Sequence, residues 1–81
     1  MFNVIIVNST LSDGERIIFE GKSSSIFLPG KNGEFEVMDF HKPVISELKR
    51  GIILVDNSKA IKIKGGLVKM DHQSLIAMVE V

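Results

Sequence analysis

Glu34, Glu36, Asp39 and His41 gather four hard ligands within eight residues, the side-chain chemistry a divalent cation would need. Glu34 and Glu36 alternate with Phe35 and Val37, however, so the acidic pair reads as the solvated face of a strand that runs into a loop. No metal site is expected. Nucleophilic catalysis needs a Ser or Cys with a general base in reach. The histidines are His41 and His72, there is no cysteine, and no serine sits in a nucleophile-elbow pattern. Pro29-Gly30-Lys31-Asn32-Gly33 is rich in glycine, but it leads into a strand and lacks the Gly-Lys-Ser/Thr ending of a phosphate loop, so it reads as a turn. Lys69-Met70 near a hairpin has one feature of a biotinyl- or lipoyl-like carrier domain, whose lysine sits at a tight turn, but Val68 stands where such a domain carries a second methionine. No catalytic residue and no cofactor is expected.

The chain that must position these groups has 81 residues, 44% hydrophobic and 25% charged, with ten basic and ten acidic side chains. Such a composition describes one small globular domain with a modest core. Without cysteine it can hold no disulfide, and the first residues show no secretory leader, so the expected compartment is the cytoplasm. The longest plain apolar runs, Val4 to Val7 and Ile52 to Val55, are far short of a membrane-spanning helix. Balanced charge argues against a general nucleic-acid binder, which needs a concentrated excess of Lys and Arg. Residues 1–40 carry three basic and six acidic groups and residues 41–81 seven and four, an asymmetry that interleaved strands would average out.

β-branched and aromatic residues cluster in short runs separated by Gly, Pro, Asn, Asp and Ser, and no stretch keeps a 3.6-residue period beyond about one turn. The pattern predicts strands at Phe2 to Asn8, Arg16 to Lys22, Ser25 to Leu28, Glu34 to Met38, Ile52 to Val55, Ala60 to Lys64, Leu67 to Asp71 and Leu75 to Val81. A single helical turn is expected at Val44 to Leu48, and turns at Ser9 to Gly14, Asp56-Asn57-Ser58, Gly65-Gly66 and His72-Gln73. The predicted fold is all-β: one domain over residues 1–81, a flattened β-sandwich or barrel of about eight to ten short, mostly antiparallel strands. Lys62 and Lys64, alternating with Ile61 and Ile63, should line the outer face of one strand.

Several strands are apolar on consecutive residues: Val4-Ile5-Ile6-Val7, Ile17-Ile18-Phe19, Ile26-Phe27-Leu28, Ile52-Ile53-Leu54-Val55 and Leu75-Ile76-Ala77-Met78-Val79. Successive side chains point to opposite faces, so each run puts apolar groups outside as well as inside. A protein partner covering one face, or loops folding over it, would account for them.

At Phe19-x-Gly21, Leu28-Pro29-Gly30-x-x-Gly33-Glu34-Phe35, His41-x-Pro43-Val44-Ile45-x-x-Leu48-Lys49-x-Gly51 and Gly65-Gly66-Leu67-Val68, the sequence resembles the N-terminal β-sandwich domain of the epsilon subunit of F-type ATP synthases. Its first turn is longer than the usual family turn, and Asp39-Phe40 stands where the family commonly has Pro-Gly. The resemblance implies a non-catalytic rotor subunit between the gamma subunit and the c-ring, part of a hetero-oligomeric complex peripheral to the cytoplasmic face of a bacterial inner membrane. It implies that Gly30, Lys31, Asn32, Gly33, Glu34, His41 and Lys42 face the c-ring and that Val44, Ile45 and Ser46 lie at gamma. Family members usually continue into a C-terminal pair of helices. A chain ending at Val81 is expected to lack that inhibitory arm and its nucleotide site. The other readings are a generic β-sandwich interaction module and the carrier domain.

Overall fold

The computed structural model describes residues 1–9, 16–39 and 42–81, which form nine strands. They are β1 (Phe2–Asn8), β2 (Arg16–Ser23), β3 (Ser25–Gly30), β4 (Gly33–Met38), β5 (Val44–Leu48), β6 (Gly51–Val55), β7 (Lys59–Ile63), β8 (Gly65–Asp71) and β9 (Ser74–Glu80). Hydrogen bonding joins them in the order β2-β1-β9-β8-β5-β3-β6-β7, with β4 paired to β3. All pairings are antiparallel except β1 with β9, which run parallel.

The sheet is curled, and its two halves close over one core. β5 meets β3 at the single pair Gly30 with Leu48, so this is where the five-strand half β2-β1-β9-β8-β5 gives way to the half built on β4, β3, β6 and β7. One core cluster takes Phe2, Val4 and Ile6 from β1, Leu75, Ala77 and Val79 from β9, and Val68 and Met70 from β8. From the other half it takes Ile26, Leu28, Val37, Ile53, Val55, Ile61 and Ile63. These side chains alternate along each strand, so the period of two sets which face is buried. Each fully buried Ile, Leu or Phe contributes about 1.5–3 kcal/mol relative to exposure, the main force holding so small a domain together. β2 supplies only the half-buried Ile18 and Phe19, and its register with β1 shifts at Ile6/Val7.

Four local expectations are corrected. Val44 to Leu48 is not a helical turn but β5, whose five residues pair one for one with β8; the β-branched Val-Ile start and the inward Leu48 suit a strand. The turn between β3 and β4 is narrower than its Pro/Gly content suggests: Pro29 and Gly30 end β3, Gly33 opens β4, and only Lys31 and Asn32 form the tip. Gly65 and Gly66 begin β8 and make no turn. Gly66 marks a close backbone approach, because a Cβ there would collide with the Met78 carbonyl oxygen and the Val79 Cα. Lys64 lies beyond the end of β7, at the corner into β8.

The expected turns at Asp56-Asn57-Ser58 and His72-Gln73 are present. Asp56 and Asn57 take left-handed φ values of 52° and 56°, and the Ser58 N–H donates to the Val55 carbonyl at 3.0 Å. The expected turn at Ser9 to Gly14 lies, after Ser9, outside the described residues.

Candidate interaction surface

The consecutive apolar runs resolve into inner and outer positions. In β9, Leu75, Ala77 and Val79 are buried in the core while Ile76 and Met78 are 45% and 41% exposed on the opposite face. Register then says what lies beside them. Ile76 pairs with Ile5 of β1 and with Lys69 of β8; Met78 pairs with Val7 and with Leu67. Val7 pairs in turn with Ile17 of β2, and Lys69 with Ile45 of β5. Outward apolar side chains therefore run across β1, β9 and β8 through the half-buried Ile5 and the exposed Ile76, Met78 and Leu67, and continue past Lys69 to Ile45, itself 68% exposed; Ile17 of β2 is exposed beyond the buried Val7, which is 6% exposed. Asn3, Glu20, Lys22 and Ser74, exposed at one end, and Glu47 and Glu80 at the other give it a polar rim. An apolar centre with a polar margin is the anatomy of a protein-binding face.

The other half of the sheet carries a smaller outward group. Phe27 pairs with Leu54, and Ile52 with Lys62, between the exposed Glu34 and Glu36 on β4 and the lysine side of β7.

The residues that the family resemblance singles out are divided by the fold. Lys31 and Asn32 are the exposed tip of the β3–β4 hairpin, and Gly33 holds a φ of +136° that an L side chain rarely adopts. The tip is fastened to β5: the Lys31 N–H donates to the Glu47 carbonyl at 2.9 Å, and its ammonium lies 3.3 Å from the Glu47 carboxylate. Glu34 is exposed beside the tip, whereas Gly30 is buried against the Phe35 ring. Lys42, also exposed, lies past the far end of β4, about 17 Å along the strand at ~3.3 Å per residue. It is not brought together with the tip, and His41 lies outside the described residues. Of Val44, Ile45 and Ser46, only Ile45 points fully outward; Val44 is half-buried against the core and Ser46 is half-buried.

The other chemical candidates find structural places. Asp39 receives the Met1 ammonium at 2.8 Å. Lys69 stands within β8, paired on both sides, and not on the tight turn that a carrier lysine occupies. His72 is exposed on the β8–β9 turn, 3.6 Å from the Asp71 carboxylate. One polar cluster escaped the sequence reading. Asp56 Oδ1 accepts hydrogen bonds from the Ser23 hydroxyl (2.9 Å), the Ser24 N–H (2.9 Å) and hydroxyl (3.1 Å), and the Ser25 N–H (3.1 Å). The Ser24 N–H foremost, with that of Ser25, holds the carboxyl below its ordinary pKa. The cluster ties the β2–β3 corner to the β6–β7 turn. Its members are far apart in sequence, and their Ser and Asp-Asn-Ser signals read only as turns.

Residues 3–81 match the model of the ATP synthase delta/epsilon chain β-sandwich domain. The chain belongs to this family. Relatives include the ATP synthase epsilon chain of Parvibaculum lavamentivorans, 33% identical over 78 residues that make up 91% of this chain and 59% of that one. Another is the epsilon chain of Aliarcobacter butzleri, 39% identical over 61 residues, 72% of this chain and 49% of that one. The chain thus spans about half the length of the curated relatives it matches. Among solved structures, a chain of the Tetrahymena thermophila mitochondrial ATP synthase central stalk/c-ring shares the fold, with a TM-score of 0.72 at 15% identity over 98% of this chain and 63% of that one. A chain of the Euglena gracilis mitochondrial ATP synthase OSCP/F1/c-ring assembly does so too, at 0.72 and 18%, over 98% and 51%. The delta/epsilon β-sandwich is thus the fold on which the apolar face and the β3–β4 tip are carried.

Proposed function

We propose that this protein is a non-catalytic central-stalk subunit of an F-type ATP synthase, rotating between the gamma subunit and the c-ring and coupling ion flow to ATP synthesis. One observation carries the reading: a domain of the delta/epsilon family presents an apolar outer face over β1, β9 and β8, left exposed among the described residues and rimmed by polar side chains. Gamma is the partner proposed for that face, with Ile45 at its margin. The c-ring is proposed to meet the β3–β4 tip, Lys31, Asn32 and Gly33 with Glu34 beside it. Lys42, expected at the c-ring, lies beyond the far end of β4 from that tip, just before β5 begins. The work is mechanical: no bond is made or broken on this subunit, which transmits torque through surfaces. It belongs to a complex peripheral to the membrane, on the cytoplasmic side in a bacterium.

The test is reconstitution. ATP synthase stripped of this subunit should hydrolyse ATP with poor proton pumping in inverted membrane vesicles, and adding the 81-residue chain should restore pumping per ATP hydrolysed. Pumping that is unchanged by its removal and return would refute the assignment.

A further inference from the structure

Lys69 interrupts the outer face on β8. It lies between Val68 and Met70, both buried in the core, so its side chain leaves the sheet on the side of Ile76 and Ile45. Register sets Ile76 of β9 directly opposite it on one side and Ile45 of β5 on the other, which places their Cβ atoms about 4.5–5.5 Å away. Leu67, two residues back along β8, points outward as well. Lys69 thus stands among aliphatic neighbours, within the face and not on its rim. Among the described residues it takes part in no ion pair. The nearest acids of this face have other neighbours: Asp71, two residues along β8, lies 3.6 Å from His72, and Glu47, opposite Leu67, lies 3.3 Å from Lys31.

Uncovered, the Lys69 ammonium is hydrated and needs no counter-charge. Covered by another protein together with Ile76 and Ile45, it loses that water, and an ion desolvated without a partner is strongly unfavourable. We propose that the surface covering this face presents an acidic side chain to Lys69, forming a salt bridge across the interface with Ile76, Ile45 and Leu67 around it. The proposal rests on the rotor reading, which makes that surface gamma's. Two shallow clefts flank Lys69, one reaching Val44 and Ile45 and the other Ser74 and Ile76, of about 450 and 300 Å³, and either gives a carboxylate side chain room to approach. Asp71 lines both clefts as well. It repels a carboxylate that is displaced toward it, so the pair with Lys69 fixes register as well as adding affinity.

Gamma binding by the 81-residue chain and by Lys69→Arg, Lys69→Met and Lys69→Glu tests the pair. Methionine keeps an unbranched stem without the charge. Arginine should bind within about threefold of the wild type and methionine at least roughly thirtyfold more weakly, with glutamate weaker still because like charges then meet. Since Lys69 points away from the core, Tm should move by less than ~3 °C in all three. Carbodiimide treatment of the wild-type complex, which condenses an amine with a carboxylate in contact with it, should join Lys69 to an Asp or Glu of gamma. Changing that acid to lysine should restore binding to Lys69→Glu. A Lys69→Met chain that binds gamma as tightly as the wild type, or a complex in which Lys69 joins no gamma carboxylate, would overturn the proposal. Ile76→Asp separates the two readings: if it loses gamma while Lys69→Met retains it fully, only the salt bridge is refuted, whereas a wild-type chain that does not bind gamma refutes both.

Discussion

Asp56 accepts four hydrogen bonds on one oxygen, and it does so from a left-handed backbone conformation. Asparagine tolerates that conformation nearly as well as aspartate, so Asp56→Asn removes the charge with little backbone cost. Charge-assisted bonds are about twice as strong as neutral ones, so we expect Asp56→Asn to lower stability by about 1 kcal/mol and Asp56→Ala by about 2 kcal/mol or more, read from urea unfolding. The pH sign follows from the depressed carboxyl pKa. Stability from this group is fully present above the ordinary aspartate value near ~3.9 and is lost as pH falls from there toward the lower folded value. Acid titration of the wild type should show that loss and Asp56→Asn should show less of it; identical acid profiles would mean the charge does not matter. Gly66 is constrained by space: Gly66→Val should cost several times more than a typical surface change, about 3 kcal/mol, because β8 would be pushed from the Met78 carbonyl.

Two elements carry the functional account, and they should respond differently. On β9, Ile76→Asp places a carboxylate in the centre of the apolar face without touching the core, since Ile76 points away from it. We expect gamma affinity to fall roughly 100-fold while Tm moves by less than ~3 °C; a large drop in Tm with normal gamma binding would show that the face is structural. Val44 is a poorer probe, being half-buried against the core. At the β3–β4 tip, Glu34→Lys should leave Tm nearly unchanged, as exposed hairpin residues bury little, and should lower proton pumping per ATP hydrolysed. These elements also show what the sequence can carry. Alternation in Glu34 to Met38 marks its strand and its faces, and the doubled apolar run from Leu75 to Val79 signals outward apolar side chains, as Ile76 and Met78 prove to be. Which outer residues join into one surface was not legible, because it depends on β1 lying parallel beside β9, a pairing of residues some seventy positions apart. The helical turn expected at Val44 to Leu48 failed for a similar reason: five apolar and polar residues fit either form, and long-range pairing with β8 decided it. Likewise, Lys42 and the hairpin tip are eleven residues apart yet separated by the length of β4.

At the scale of the whole molecule, the curled sheet explains how 81 residues form a core and still present the two surfaces proposed for partners. One layer of strands serves both purposes, with inner positions closing on Phe2, Ile6 and Leu75 and outer positions left for partners. The apolar face lies on the five-strand half, and the hairpin tip belongs to the other half and adjoins one edge of that face through Lys31 and Glu47. An outer face on one half and a hairpin tip on the other suit the proposed bridging role. Its most direct test is size-exclusion co-elution of this chain with the gamma subunit of the same genome, run in parallel with Ile76→Asp. The account predicts a stable one-to-one complex for the wild type and its loss for the variant; a folded gamma that fails to retain the wild-type chain, or retains both alike, would contradict it.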